Sequence, residues 1–258
     1  LQISENVPVS NFEMHFSYKD IENFNNNSFS KSFLNKHRFS IHMPDYCDAN
    51  NIIDFFSSSD LIKRKSTRLL NKSIKISKYI NTISKFRTDI IVSLSNILGE
   101  HDKFEYYKRI KKLSQSLKKK HKINLLPQWL PVDAWYFGGN LKTNAFSDPR
   151  DLNFMKKINL KICMDTSHFI LSCNYHNLDH KKYFKQNIKL FSHIHLSDAI
   201  GTDGEGVLLG NGETIKKGIL KQVMKEKKIL KVLETWQGHL NYGFKFKKDC
   251  ITLYKKTL

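Results

Sequence analysis

Short apolar runs that close on polar or ionisable side chains recur along the chain: FEMHF (12 to 16), RFSIHMP (38 to 44), DIIVSLS (89 to 95), NLLPQWLP (124 to 131), LKICMDTS (160 to 167), HIHLSD (193 to 198) and KVLETW (231 to 236). Runs of this length and composition predict strands. Between them the apolar positions change to helical spacing. Ile62, Leu69, Ile76, Ile80 and Ile83 mark one helix, and Phe104, Tyr107, Ile110, Leu113 and Leu117 a second. Ile215, Ile219, Val223 and Met224 mark a third, and Phe246, Cys250, Leu253 and Tyr254 a fourth. Strand and helix in steady alternation predict a parallel sheet with helices outside it, either doubly wound or closed as a (β/α)8 barrel. Residues 17 to 37 and 132 to 151 show neither period and read as loops. The linkers are short and poor in Pro and Gly, so a single domain over 1 to 258 is expected.

The ionisable residues favour the barrel. His42, Asp165, His168, His195, Asp198 and Glu234 fall at the C-terminal ends of at least four candidate strands. In an open sheet such ends spread along an edge, whereas in a barrel they converge on one mouth. Only seven strands are visible, so the first strand of eight is expected upstream of Leu1, or truncated to LQIS. The absence of an initiator Met suggests a fragment or one domain of a longer chain.

Composition narrows the class. With 258 residues, 40% hydrophobic and 12% aromatic, the chain is globular rather than disordered. No run approaches the roughly 18 to 20 apolar residues of a membrane span, and LQISENVPVS lacks the character of a signal peptide. The four Cys are scattered without a C-x-x-C pair, which suits neither a zinc knuckle nor a disulfide scaffold; a reducing cytoplasm is the expected location. The net charge of +19 first suggests nucleic acid. Only six of the 43 basic residues are Arg, however, and the Lys lies among Asn and Ile, as in KKKHKIN. That pattern suits a solvated Lys coat better than a phosphate-binding face, and no nucleic-acid partner is expected.

Five segments could carry chemistry. CMDTSH sets Asp165 at a strand end with His168 three positions on, a pair that could share a divalent cation or act as a base and its orienting partner; the ordinary alternative is a loop-capping Asp. HIHLSDAIGTDGEG puts His193 and His195 on one face of a strand and follows them with Asp203 and Glu205 in a Gly-punctuated loop; the alternative is a packed core His and a solvated loop. LETWQGH carries Glu234 at a strand end with Trp236 and His239 beyond it. LLPQWLPVDAWYFGGN offers Gln128 with Trp129 and Trp135, either a sugar-stacking wall beside a flexible Gly138-Gly139 loop or plain core packing. HMPDY adds His42 and Asp45. No G-x-G-x-x-G, phosphate-binding loop or G-x-S-x-G occurs. Oxygen-rich ligation with one imidazole suits Mn2+, Mg2+ or Co2+, and a further His would favour Zn2+.

In this order, IHMPDY, LLPQWLPVDAWYFGG, CMDTSH, HIHLSDAIGTDGEGVLLGNGE and LETWQGH resemble the xylose isomerase-like barrel superfamily over residues 12 to 246. More narrowly they resemble a sugar phosphate isomerase/epimerase branch found beside, or fused to, nonulosonic (sialic) acid synthases. The resemblance implies metal ligands at Asp165, His195 and Glu234, and Gln128 oxygen is a candidate fourth. Catalytic roles are expected of Glu234, His168 and Glu205, and substrate contacts of His42, Gln128, Trp129, Trp135, Trp236 and His239. The superfamily's strand-five Glu is Gln128 here, and an amide cannot serve as a base. The first expectation is therefore a divalent-metal-dependent isomerase or epimerase acting on a sugar or sugar phosphate through a metal-stabilised enediolate, with one base drawn from Glu234, Glu205 or His168. Two alternatives stay open: a non-catalytic, sugar-binding accessory barrel in nonulosonic acid biosynthesis, and an abasic-site nuclease like endonuclease IV. Asp203 and Glu205 replace the D-x-H of those nucleases, and the strand-four His is absent.

Overall fold

A computed structural model of the chain describes residues 7–26, 29–95 and 102–257. The strand expected at residues 1 to 4 lies outside the described residues. Two compact units divide the chain, one over Ser10–Gln128 and the other over Trp129–Leu258 with the N-terminal residues through Val9. Among the described residues no helix is long and apolar enough to cross a membrane.

The Ser10–Gln128 unit is built on β1 (Asn11–His15), β2 (Arg38–His42), β5 (Asp89–Val92) and β6 (Leu125–Pro127), a four-stranded parallel sheet in the order β1-β2-β5-β6. Ile41, Ile90, Ile91, Val92 and Leu125 are fully buried, as expected of parallel strands covered on both faces. The register pairs Glu13 with Ser40, His15 with His42 and His42 with Ile91. A small antiparallel pair, β3 (Tyr46–Asp48) and β4 (Asn51–Ile52), follows β2.

Among the described residues four α-helices accompany this sheet: α1 (Tyr18–Asn23), α2 (Lys31–Lys36), α3 (Asp60–Ile83) and α4 (Lys103–His121). The long α3 and α4 match the helical spacing of the sequence, and α3 buries Leu69, Leu70, Ile74, Ile76 and Ile80. Helix α4 starts on an Asp102 cap and ends in Lys118, Lys119, Lys120 and His121, charges that suit a helix C-terminus. The region 17 to 37, expected to be a loop, instead holds α1 and α2. Each is a six-residue segment, too short to show a period, and each is started by a serine: Ser17 forms a capping box with Asp20, and Ser30 accepts from Phe33 N.

The second unit centres on a three-stranded parallel sheet of β9 (Ile162–Asp165), β10 (Phe191–Leu196) and β13 (Leu230–Leu233), with β10 in the middle. His193 pairs with Cys163 and Leu230, and His195 with Asp165 and Val232. The surrounding helices are α5 (Leu152–Lys157), α6 (Thr166–Tyr175), α7 (His180–Asn187), α8 (Ile219–Lys225) and α9 (Leu240–Thr257). Two hairpins project from the framework, β7 (Asp133–Tyr136) with β8 (Gly139–Lys142), and β11 (Asp198–Ile200) with β12 (Gly204–Val207).

The first hairpin corrects the flexible Gly loop expected within 132 to 151. Phe137 (φ 53°) and Gly138 (φ 76°) both have positive φ, the requirement of a tight turn whose twist matches its strands. Phe-Gly is not among the usual signals for such a turn, so pattern alone gave no sign of it.

Candidate active site

The chemistry-bearing residues of the second unit gather where β9, β10 and β13 end. Asp165 is the last residue of β9 and the N-cap of α6, and its Oδ1 accepts from His168 N at 3.1 Å. The cap fixes where His168 emerges. Its Nδ1 lies 2.9 Å from Trp129 O and 3.2 Å from Asp165 Oδ2, while Nε2 lies 3.2 Å from Glu205 Oε2. Glu205 comes from β12, which is pinned by Gly206 N donating to Ser167 Oγ at 2.9 Å and by Trp236 N donating to Gly206 O at 2.7 Å.

Glu234 follows β13, its backbone N donating to Leu196 O at 3.1 Å. Its carboxylate lies 2.7 Å from His195 Nδ1 and shares a hydrogen bond with Asp165. His195 is fully buried and Asp165 nearly so, whereas the Glu234 and Glu205 side chains keep 31% and 33% of their exposure. Asp165 and His195 therefore form a floor, and the two glutamates are the members that solvent or a ligand can reach.

The electrostatics follow from this crowding. Burial, reinforced by Glu234 beside it, pushes the Asp165 carboxyl up to about 7 against the opposing pull of His168 and His195. For His168, burial works against the imidazolium, but Asp165 and the bond to Glu205 outweigh it and raise the ring to about 10. Glu205 is held below the usual carboxylate range: burial opposes this, and the hydrogen bond from His168 overcomes it. Carboxylates pressed together around an imidazole in a buried floor are the setting in which a bound cation relieves the most repulsion. The donor set of two carboxylates and one His fits a divalent ion by its chemistry.

Asp198, at the strand end that follows β10, does something else. Its carboxylate accepts from the backbone N of Ala199 (3.0 Å), Gly210 (2.9 Å), Gly212 (3.0 Å) and Thr214 (2.6 Å). It holds a loop together. Gly212 is required there, because a Cβ would stand 2.2 Å from Ala199 O.

The aromatic residues expected at a sugar wall divide. Trp129 is fully buried, its ring tilted at 60° to that of Phe169 and its Nε1 donating to Ser172 Oγ at 3.3 Å, so it offers no open face. Trp135 and Trp236 are 67% and 62% exposed. His239 is exposed in the turn before α9.

In the Ser10–Gln128 unit, Gln128 and His42 meet: His42 Nε2 lies 2.6 Å from Gln128 Oε1, which also accepts from Ser93 Oγ at 3.0 Å. Sequence reasoning passed over two neighbours of this group. The His15 ring lies 4.2 Å from that of His42, and Glu13 accepts from Ser40 Oγ at 2.6 Å. The signal was present in FEMHF, where Glu and His alternate with apolar residues and so share one face of the strand.

No protein-family model matches the chain, and no curated protein matches it by sequence. Solved structures do. A probable 3-DHS dehydratase from Bacillus anthracis superposes with a TM-score of 0.66 at 16% identity, covering 97% of this chain and 91% of its own. A 3-keto-D-glucoside 4-epimerase from E. coli gives 0.64 at 10% identity over 97% and 91%. A xylose isomerase domain protein from Alicyclobacillus acidocaldarius gives 0.60 at 10% identity over 98% and 90%. At these identities the likeness is one of fold: the chain has the xylose isomerase-like (β/α)8 barrel fold.

Proposed function

We propose that the protein is a divalent-metal-dependent isomerase or epimerase acting on a sugar or sugar phosphate. The observation that carries this reading is the meeting of Asp165, His195 and Glu234 at neighbouring strand ends, with the His168 and Glu205 pair beside them. The fold likeness to a protein named as a sugar epimerase supports it.

Asp165, His195 and Glu234 would hold the cation. A divalent ion there would polarise a sugar carbonyl and make the adjacent C–H acidic. The proton itself needs a base at the open side of the floor. Glu205 is the best placed, being reachable and held ionised and oriented by His168. Glu234 is the second carboxylate within the group. Gln128, an amide, takes no proton, and its oxygen is occupied by His42 and Ser93. The exposed ring of Trp236 stands one residue past Thr235, tied through its backbone to the strand that carries Glu205, and gives an apolar face for a pyranose or open-chain sugar. An association with nonulosonic acid synthesis, and with a fused or neighbouring synthase, belongs to this reading on the strength of the motif order alone.

Deuterium incorporation tests it. Mn2+-loaded protein in D2O, offered a panel of ketoses, aldoses, their phosphates and amino sugars, should place solvent deuterium on the carbon beside the carbonyl. Glu205→Gln should lower that rate by about 10²- to 10⁴-fold with unchanged metal content. Loaded wild-type protein that exchanges no proton in any member of the panel would contradict the assignment.

A further inference from the structure

One step earlier along the same two strands lies a different set of donors. Cys163 and His193 are register partners, two residues before the partners Asp165 and His195, so all four side chains lie on one face of the sheet. Cys163, His193 and His195 are each fully buried, and each offers a ligand atom within 4.8 Å of the other two. The two imidazoles meet edge to face, with centroids 5.2 Å apart.

We propose that Cys163, His193 and His195 form a second, softer metal site, one that takes Zn2+ or Co2+ and shares His195 with the carboxylate group above it. The chemistry separates the two sets. A thiolate and two imidazoles favour borderline-soft ions in tetrahedral coordination, whereas Asp165 and Glu234 supply the oxygen donors that Mg2+ and Mn2+ prefer. Donor atoms around a tetrahedral zinc stand roughly 3.5 Å apart, as its bond lengths require, so closing from the present spacing asks for side-chain rotations rather than backbone movement. Binding would convert the Cys163 thiol to a thiolate and release one proton.

His195 lies at the junction. Its Nδ1 is 2.7 Å from Glu234, and its ring is also part of the sulfur-containing group. An ion drawing the ring toward Cys163 and His193 takes it from Asp165 and Glu234, so a soft ion in the lower set competes with a hard ion in the upper one. The consequence is zinc inhibition of the Mn2+- or Mg2+-loaded protein through Cys163. The inference shares His195 with the function proposed above but does not depend on the reaction being an epimerisation.

Co2+ titration of the chelator-stripped protein, followed by absorption, is the test. Wild type and Asp165→Asn should both develop the near-ultraviolet thiolate-to-cobalt band. Cys163→Ser should lack it and lose at least about 100-fold in Zn2+ affinity, since even outer-shell changes at metal sites cost 10- to 100-fold. His193→Gln should weaken Co2+ binding while leaving Mn2+ binding intact, which guards against loss of fold in the cysteine variant. Co2+ retained by wild type without a thiolate band, and lost in Asp165→Asn, would overturn the sulfur site and leave the carboxylate site standing. Wild-type protein that retains no Co2+ would overturn both.

Discussion

The two units end their parallel strands in different currencies. In Ser10–Gln128 the polar groups of the sheet meet hydroxyls, an amide and an imidazole: within β1 and β2 Ser40 donates to Glu13, and at the strand ends Ser93 and His42 both meet the Gln128 oxygen. In Trp129–Leu258 the corresponding ends carry ionisable groups linked in series, Glu205 to His168, His168 to Asp165, Asp165 to Glu234 and Glu234 to His195. Outlying carboxylates sharpen the contrast. Asp48, in the first unit, is drawn down to about 2: burial opposes this, but Lys65, Asn50 N and Asn51 outweigh it, whereas burial and Glu234 push Asp165 up to about 7. A chain folded for stability alone pairs its acids as it pairs Asp48. Crowding them as it does around Asp165 is the arrangement on which the proposed cation site rests.

This contrast can be broken most sharply inside the second unit, where buried acids are of two kinds. Asp198→Ala leaves four backbone N–H groups without their acceptor, and the loss should be about 3 to 5 kcal/mol, read as a fall of the order of 10 °C in Tm. A shift of only a degree or two would show that the loop holds itself. Asp165→Asn should act in the opposite sense on metal-stripped protein. An Asn still caps α6, and the removed charge relieves Glu234, so thermal unfolding should show a gain of about 1 to 2 kcal/mol together with lost activity. Destabilisation by that variant would put Asp165 in the same class as Asp198.

The smallest effect belongs to the first unit. Asp48 and Lys65 are 22% and 33% exposed and their ion pair spans 2.6 Å, so Lys65→Ala should cost under about 1 kcal/mol. Its pH dependence has a definite sign. Because the folded carboxyl is depressed, its contribution is fully present above the unfolded value of about 4 and is lost as pH falls toward 2. Urea midpoints across that window should fall more steeply for wild type than for the variant, and parallel curves would remove the pair from the comparison.

Much of this was legible in the residues. All seven apolar runs became parallel strands, and β5, β6 and β9, buried along their whole length, are short continuous apolar blocks for that reason. The long helices α3 and α4 showed their period over 24 and 19 residues. Six-residue helices and the β7–β8 hairpin lie below what periodicity can detect, being set by the Ser17 and Ser30 caps and by positive φ at Phe137 and Gly138. At the site, strand-end position correctly singled out Asp165, His195 and Glu234 as neighbours, but it treated Asp198 alike. What distinguishes Asp198 is a loop more than ten residues downstream that folds back onto its carboxylate. Trp129 was equally opaque, because whether an aromatic ring faces solvent or Phe169 is decided by tertiary packing that its own neighbours in sequence do not encode.

The central claim is that the crowded acids of the second unit hold a divalent cation. Calorimetric titration of chelator-stripped protein with Mn2+ tests it most directly. The account predicts one saturable site in wild type that is lost in both Asp165→Ala and Glu234→Ala and retained in Asp198→Asn. Binding that survives both substitutions unchanged, or no binding by the wild type, would contradict it.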